Sequence, residues 1–115
     1  MQDALEISSR IDPSGARVFA LSGRLDSRGT PRFVRDCSPL DVPGALVVLN
    51  LAGISFLSSS GVGALLALSE QAREKGGELR IAAPSGVVTA TIALLNLREY
   101  LSLFDSEPEA LRRAA

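Results

Sequence analysis

Three consecutive hydroxyl side chains, Ser58-Ser59-Ser60, followed by Gly61-Val62-Gly63, sit between an apolar strand run and an apolar helix run. Upstream, Leu46-Val47-Val48-Leu49-Asn50-Leu51 is the continuous aliphatic stretch that a central parallel strand needs. Downstream, Val62, Leu65, Leu66 and Ser69 fall on one helical face, and Glu70, Arg73 and Glu74 enter only later. The serines are therefore expected at the mouth of a helix, where unpaired backbone N–H groups and the positive end of the dipole favour negative charge. A phosphoryl group on one of them would be held by the helix that follows, which makes the segment a candidate switch. Serine is also a favoured N-cap, so plain capping is the competing reading.

Other chemistries find fewer residues to work with. Histidine is absent, which removes Ser-His-Asp triads, Cys-His pairs and His-ligated zinc together. The third glycine of a G-x-G-x-x-G loop would fall on Leu66, and no G-x-x-x-x-G-K-[ST] run occurs. Carboxylates, hydroxyls and Lys75 remain, so no catalytic residue, metal site or cofactor is expected. A small enzyme using Ser59 as nucleophile is the reading from a different class. Net charge is −1 and the basic residues form no stripe interleaved with aromatics, which argues against direct nucleic-acid binding. The lone Cys37 cannot form an internal disulfide, and Met-Gln-Asp-Ala-Leu-Glu shows no signal-peptide pattern, so a cytoplasmic location is expected. No charge occurs from Val42 through Ser69, but Pro43, Gly44, Asn50, Gly53 and the serines interrupt the stretch. A spanning helix wants about 20 consecutive apolar residues, so no membrane insertion is expected.

The elements that must position the serines can be read in order. The chain has 115 residues, 46% hydrophobic and 22% charged, which suits one globular domain over 1–115. Leu5, Ile7 and Ile11 alternate with Glu6 and Arg10 as a first strand, and Asp12-Pro13-Ser14-Gly15 turns it into a second beginning at Arg17. Gly23-Arg24-Leu25-Asp26 closes that strand. Thr30 reads as the N-cap of a short helix with Pro31 first, broken by Ser38-Pro39 and Val42-Pro43-Gly44. A strand over 46–51 follows, then 53–57 as a connecting loop, then a helix from about Gly61 to Lys75 ended by Gly76-Gly77. The remainder reads as a strand over 78–83, a helix opened by Ser85-Gly86, a short strand over 101–104, and a terminal helix. In the helix opened by Ser85-Gly86, Val88, Ile92 and Leu95 share one face; in the last, Ser106 and Glu109 form a capping box. The order β-β-α-β-α-β-α-β-α predicts an α/β fold: a mixed central sheet of about five strands, helices largely on one face, right-handed crossovers.

Two helices carry more apolar surface than one sheet can cover. Residues 62–68 are apolar nearly all round, and 87–95 contains no charge. Packing on a sheet uses one stripe of each helix, so part of this surface is expected beside the serines as a partner site, with Val62, Leu65 and Ile92 as its candidate residues.

With these residues in view, the chain resembles the STAS domain family, particularly bacterial anti-sigma factor antagonists. Gly23-Arg24-Leu25-Asp26 resembles the family's G-x-L-D element, and the stretch from Leu46 to Gly63 resembles its phosphoacceptor region. Gly76-Gly77-Glu78-Leu79 and Leu103-Phe104 also fall where the family has similar residues. The family's acceptor is the Ser or Thr after a motif Asp in D-S-[ST]-G. The resemblance therefore implies phosphorylation of Ser59, with Asp26, Ser58, Ser60 and Gly61 around it and Ser58 standing where the family has the Asp. It further implies partner switching. The unphosphorylated antagonist binds an anti-sigma factor that is also a serine kinase, phosphorylation releases it, and a PP2C-type phosphatase resets it. The alternative within the family is a non-phosphorylated binding module or scaffold, such as a lipid-transport subunit or part of a stress-signalling complex.

Overall fold

The computed structural model describes residues 4–38 and 43–112. Its centre is a five-stranded sheet in the order β1-β2-β3-β4-β5. Strands β1 (Glu6–Ile11) and β2 (Arg17–Leu25) form the expected antiparallel hairpin, while β2–β3, β3–β4 and β4–β5 pair in parallel. Gly15 at the hairpin turn has φ +93, which is why glycine suits it. Each parallel step needs a crossover, and the helices supply them. Helix α1 (Thr30–Cys37) joins β2 to β3 (Leu46–Leu57), α2 (Ser59–Glu74) joins β3 to β4 (Glu78–Ala82), and α3 (Gly86–Leu94) leads towards β5 (Ser102–Phe104). A single 3-10 turn over Arg98–Tyr100, not legible in the sequence, completes the last connection.

The two faces of the sheet are covered unequally. On one, Phe33 and Cys37 of α1, Leu65, Leu68 and Ala72 of α2, and Val88 and Ile92 of α3 bury the inward residues Leu21, Leu49, Leu51 and Ile81. On the other, the short α4 (Glu107–Leu111) seats Ala110 against Val18, Leu46, Val48 and Ala82. Polar contacts fix both ends of α4. Glu107 accepts from Asn50 Nδ2 at 2.7 Å and Arg10 Nη2 at 2.9 Å, and Arg80 Nη1 donates to the carbonyls of Ala110 and Arg112 at 2.9 and 2.7 Å. Ser106 caps α4 as expected, but the Glu109 carboxylate reaches back to the N–H of Asp105, one residue further than a capping box requires.

Four local expectations are corrected. Residues 53–57 are strand, not loop: β3 runs unbroken to Leu57 and pairs its second half with β2. Helix α2 accordingly begins at Ser59 rather than Gly61. Thr30 is the first helical residue of α1, with Gly29 at the cap, and the turn is closed instead by Asp26, whose backbone oxygen accepts from Thr30 N and Oγ1. Leu95 does not share the buried face of Val88 and Ile92; it is 47% exposed because α3 ends at Leu94 and Asn96 turns the chain with φ +56. Residues 39–42, part of the expected helix-breaking segment, lie outside the described residues.

Candidate functional site

The register of the parallel pair β2–β3 assembles the site. Leu25 pairs with Leu57, so the next residues, Asp26 and Ser58, leave the sheet side by side at its carboxyl edge. That edge is where open α/β sheets present their functional groups. Ser58 stays extended (φ −87, ψ 171) and caps α2. Its Oγ accepts from Gly61 N at 3.2 Å and lies 3.3 Å from the Leu25 carbonyl and 2.9 Å from Ser60 Oγ. With one proton to give, Ser58 donates to Leu25 O and receives the Ser60 hydroxyl. The Leu25 carbonyl also accepts from Ser58 N at 3.0 Å.

Two of the three hydroxyls are thus committed to holding the loop. Ser59 is not. It is the first residue of α2, it is exposed, and among the described residues its hydroxyl has no hydrogen-bond partner. A group attached there meets the first helical turn, whose opening N–H groups have no partner within the helix. Gly61 is buried because it presses on the strand behind it: a Cβ there would lie 2.7 Å from Leu25 O and 2.9 Å from Leu57 Cδ1. So Ser58, Ser59, Ser60 and Gly61 come together with the end of β2.

Asp26 lies beside them, but its carboxylate is already occupied. Oδ1 accepts from Arg28 N at 3.1 Å and Gly29 N at 3.2 Å, and Oδ2 from Arg24 Nε at 3.4 Å. The Gly29 N–H above all, with Arg28 and Arg24, holds this carboxyl below the usual carboxylate range. It is ionised and anchored, a wall of the site more than a free reagent.

Val62, Leu65 and Ile92 were expected to face a partner. They are 4%, 0% and 0% exposed and belong to the core, because the 3.6-residue period places them on the stripe that packs on the sheet. Small and apolar neighbours of these residues are exposed instead, among them Gly63 and Ala67 on α2 and Val87, Ala90, Ala93 and Leu94 on α3. The outward face of α3 is uncharged throughout, with Leu94 82% exposed.

One feature was missed. Phe56, read as loop, sits on β3 opposite Arg24, and the guanidinium carbon of Arg24 lies 4.1 Å from the centroid of its ring. The only signal in the sequence was an arginine inside Gly23-Arg24-Leu25-Asp26, and the partner ring could be paired with it only once β3 was known to continue. Among the described residues no group of three or more His, Cys, Asp or Glu side chains could hold a metal ion, and no helix is long and apolar enough to cross a membrane.

Comparison with known proteins agrees with this architecture. The STAS domain profile matches residues 6–110. An anti-sigma F factor antagonist of Paenibacillus polymyxa is 29% identical over 104 residues, spanning 84% of this chain and 85% of that one. Among solved structures, an anti-sigma factor antagonist from Mycobacterium paratuberculosis superposes with a TM-score of 0.81 at 23% identity, covering 95% of this chain and 92% of that one. The Bacillus cell fate determinant SpoIIAA in its phosphorylated form gives a TM-score of 0.69 at 22% identity, over 92% of this chain and 96% of that one. At these identities the structural matches establish the fold.

Proposed function

The chain belongs to the STAS domain family, and on that premise we propose that it is an anti-sigma factor antagonist working by partner switching through Ser59. The observation that carries the proposal is the division of labour among the serines: Ser58 and Ser60 spend their hydroxyls on the loop, while Ser59 offers an unbonded one to solvent at the start of α2. The antagonist names of its relatives support the partner class.

In this reading the unphosphorylated chain binds an anti-sigma factor that is also a serine kinase. Ser59 Oγ attacks the γ-phosphorus of ATP bound to that kinase, the new P–O bond forms as the bond to the β-phosphate oxygen breaks, and ADP leaves. The hydroxyl proton goes to a base on the kinase. Catalysis and nucleotide belong to the partner. The added charge of about −1.5 to −2 then lies in the contact, where desolvation and repulsion disfavour the complex. A PP2C-type phosphatase restores the hydroxyl.

The test is incubation with a cognate serine-kinase anti-sigma factor and ATP, followed by peptide mass spectrometry. Phosphate should appear on Ser59, vanish in Ser59→Ala, and persist at a reduced level in Ser58→Ala and Ser60→Ala. Phosphate mainly on Ser60 would move the assignment by one residue. A second reading, a scaffold that is never phosphorylated, is favoured by one observation: Ser58 stands where the family carries an acidic residue. Tight binding to the anti-sigma factor with no phosphate transfer would select it.

A further inference from the structure

Beside the serine loop, on the other side of the β2 end, a groove of about 670 Å³ opens between the start of β1, the end of β2 and the first turn of α1. Arg24, Arg28 and Arg32 line it together with Asp26, over an apolar floor of Ala4 and Leu5. Three guanidiniums therefore share one groove with one carboxylate. That carboxylate carries one negative charge against three positive ones and is already paired with Arg24 Nε, so the lining keeps a positive excess. Arg32 is partly spent, donating to Leu5 O at 2.8 Å and pairing with Asp36 at 3.4 Å. Arg24 keeps both terminal nitrogens uncommitted, and the Arg28 side chain has no partner among the described residues.

We infer that this groove receives a carboxylate-rich segment of the partner protein, with Arg24 and Arg28 as the residues that read it. Like charges held in one groove repel, and an anionic occupant removes that cost. Arg24 is built for the task. Its guanidinium is held over the Phe56 ring, and both terminal nitrogens are left over for bidentate contact with a carboxylate. Phe56 is itself 37% exposed, and an aromatic ring with a stacked arginine is the composition that concentrates binding energy at protein interfaces. A lone small anion would engage one arginine and leave the apolar floor unused. A peptide bearing successive carboxylates covers both. The inference rests on the proposal above in one respect, that this end of the sheet is the one that meets the partner.

The test is an NMR titration of the isotopically labelled full chain with a short acetylated Glu/Asp peptide, against a Gly/Ser peptide of equal length and inorganic phosphate. The acidic peptide should move the Arg24 and Arg28 side-chain resonances and the Gly29 amide. The shifts should fade as salt is raised to about 0.5 M, because the contacts are solvent-accessible charge pairs. Arg24→Gln combined with Arg28→Gln should weaken binding about tenfold, the loss expected for a charge-paired contact. Both side chains are solvent-facing, and melting curves of this variant and of Arg24→Gln alone verify that the fold is kept. Absence of shifts, equal shifts with phosphate alone, or unchanged binding by the double variant would each overturn the inference. The titration contains neither kinase nor ATP, so its failure leaves phosphorylation of Ser59 standing, and a kinase that ignores Ser59 leaves the peptide result standing.

Discussion

Replacing Gly61 by alanine puts the packing of the serine loop to a quantitative test. The new Cβ would fall 2.7 Å from the Leu25 carbonyl oxygen, 2.9 Å from Leu57 Cδ1 and 3.1 Å from Leu25 Cγ. The leucine side chains can yield, but the carbonyl belongs to backbone that is paired within the sheet and bonded to Ser58 N. Something must shift, and forced overpacking of this kind costs about 1–3 kcal/mol. Alanine also returns up to about 1 kcal/mol of helix propensity, less so near a helix start. The net expectation is a loss of about 1–2 kcal/mol, or roughly 4–15 °C in Tm for a chain near this size. Gly63, two residues on, supplies the internal control. Nothing lies within 4 Å of a Cβ there, so Gly63→Ala should stabilise the protein by about 0.5–1 kcal/mol. Urea unfolding followed by circular dichroism on both variants decides it. If Gly61→Ala is as stable as the parent, or shifts with the same sign as Gly63→Ala, the close approach of α2 to the β2 end is not what requires glycine at 61.

Further expectations concern charge and the buried thiol. Ser58→Asp should speed phosphorylation of Ser59 by restoring an acidic group beside the acceptor. It should also lower the thermal stability of the phosphorylated form relative to its own unphosphorylated state, since charges about 6 Å apart in water repel by about 1 kcal/mol; equal or slower kinase time courses would refute this. Hydrogen bonds from Asn50 and Arg10 hold the Glu107 carboxyl below the ordinary range, so its contribution is present above the unfolded value of about 4.3 and is lost as pH falls through the lower folded value. Glu107→Gln should therefore lower urea midpoints at pH 6 and flatten their decline below about pH 4.5, and parallel pH series that keep the same slope would contradict the assignment. Burial pushes the Cys37 thiol up to about 12, so a thiol reagent at neutral pH should label it only after urea unfolding; rapid labelling of the native protein would refute its burial.

Much of this architecture was legible because local patterns and tertiary packing agree. The β1–β2 hairpin announces itself by alternation and a turn run, and Gly76 and Ser106 mark helix ends through conformations and caps that few other residues supply. The second half of β3 was not legible. Between the pairs Ala20–Asn50 and Ser22–Gly53, β3 takes one more residue than β2, and it does so again between Gly23–Ile54 and Arg24–Phe56. Each bulge resets the inward–outward alternation, so the segment reads as irregular until its partner is laid beside it. Loss of that strand hid the Arg24–Phe56 stack, which depends on a register no single segment contains. The error over Val62, Leu65 and Ile92 has another origin. Helices apolar all round leave periodicity unable to say which stripe faces the sheet, and the largest residues were the natural choice for both roles.

The peptide unit joining Leu25 to Asp26 belongs to two neighbourhoods at once. Its carbonyl receives the N–H and hydroxyl of Ser58, and its far side carries the carboxylate that walls the arginine groove. Occupants of the loop and of the groove that both bear on this unit are thermodynamically linked, and linkage runs equally in both directions. Whatever factor a phosphoryl group on the loop imposes on the groove's affinity, an occupant of the groove imposes on the balance between the phosphorylated and unphosphorylated loop. On the proposed function, the weakening of groove binding by the phosphoryl group and the shift of the phosphorylation equilibrium by a bound groove occupant would then be one free energy, measured from either end.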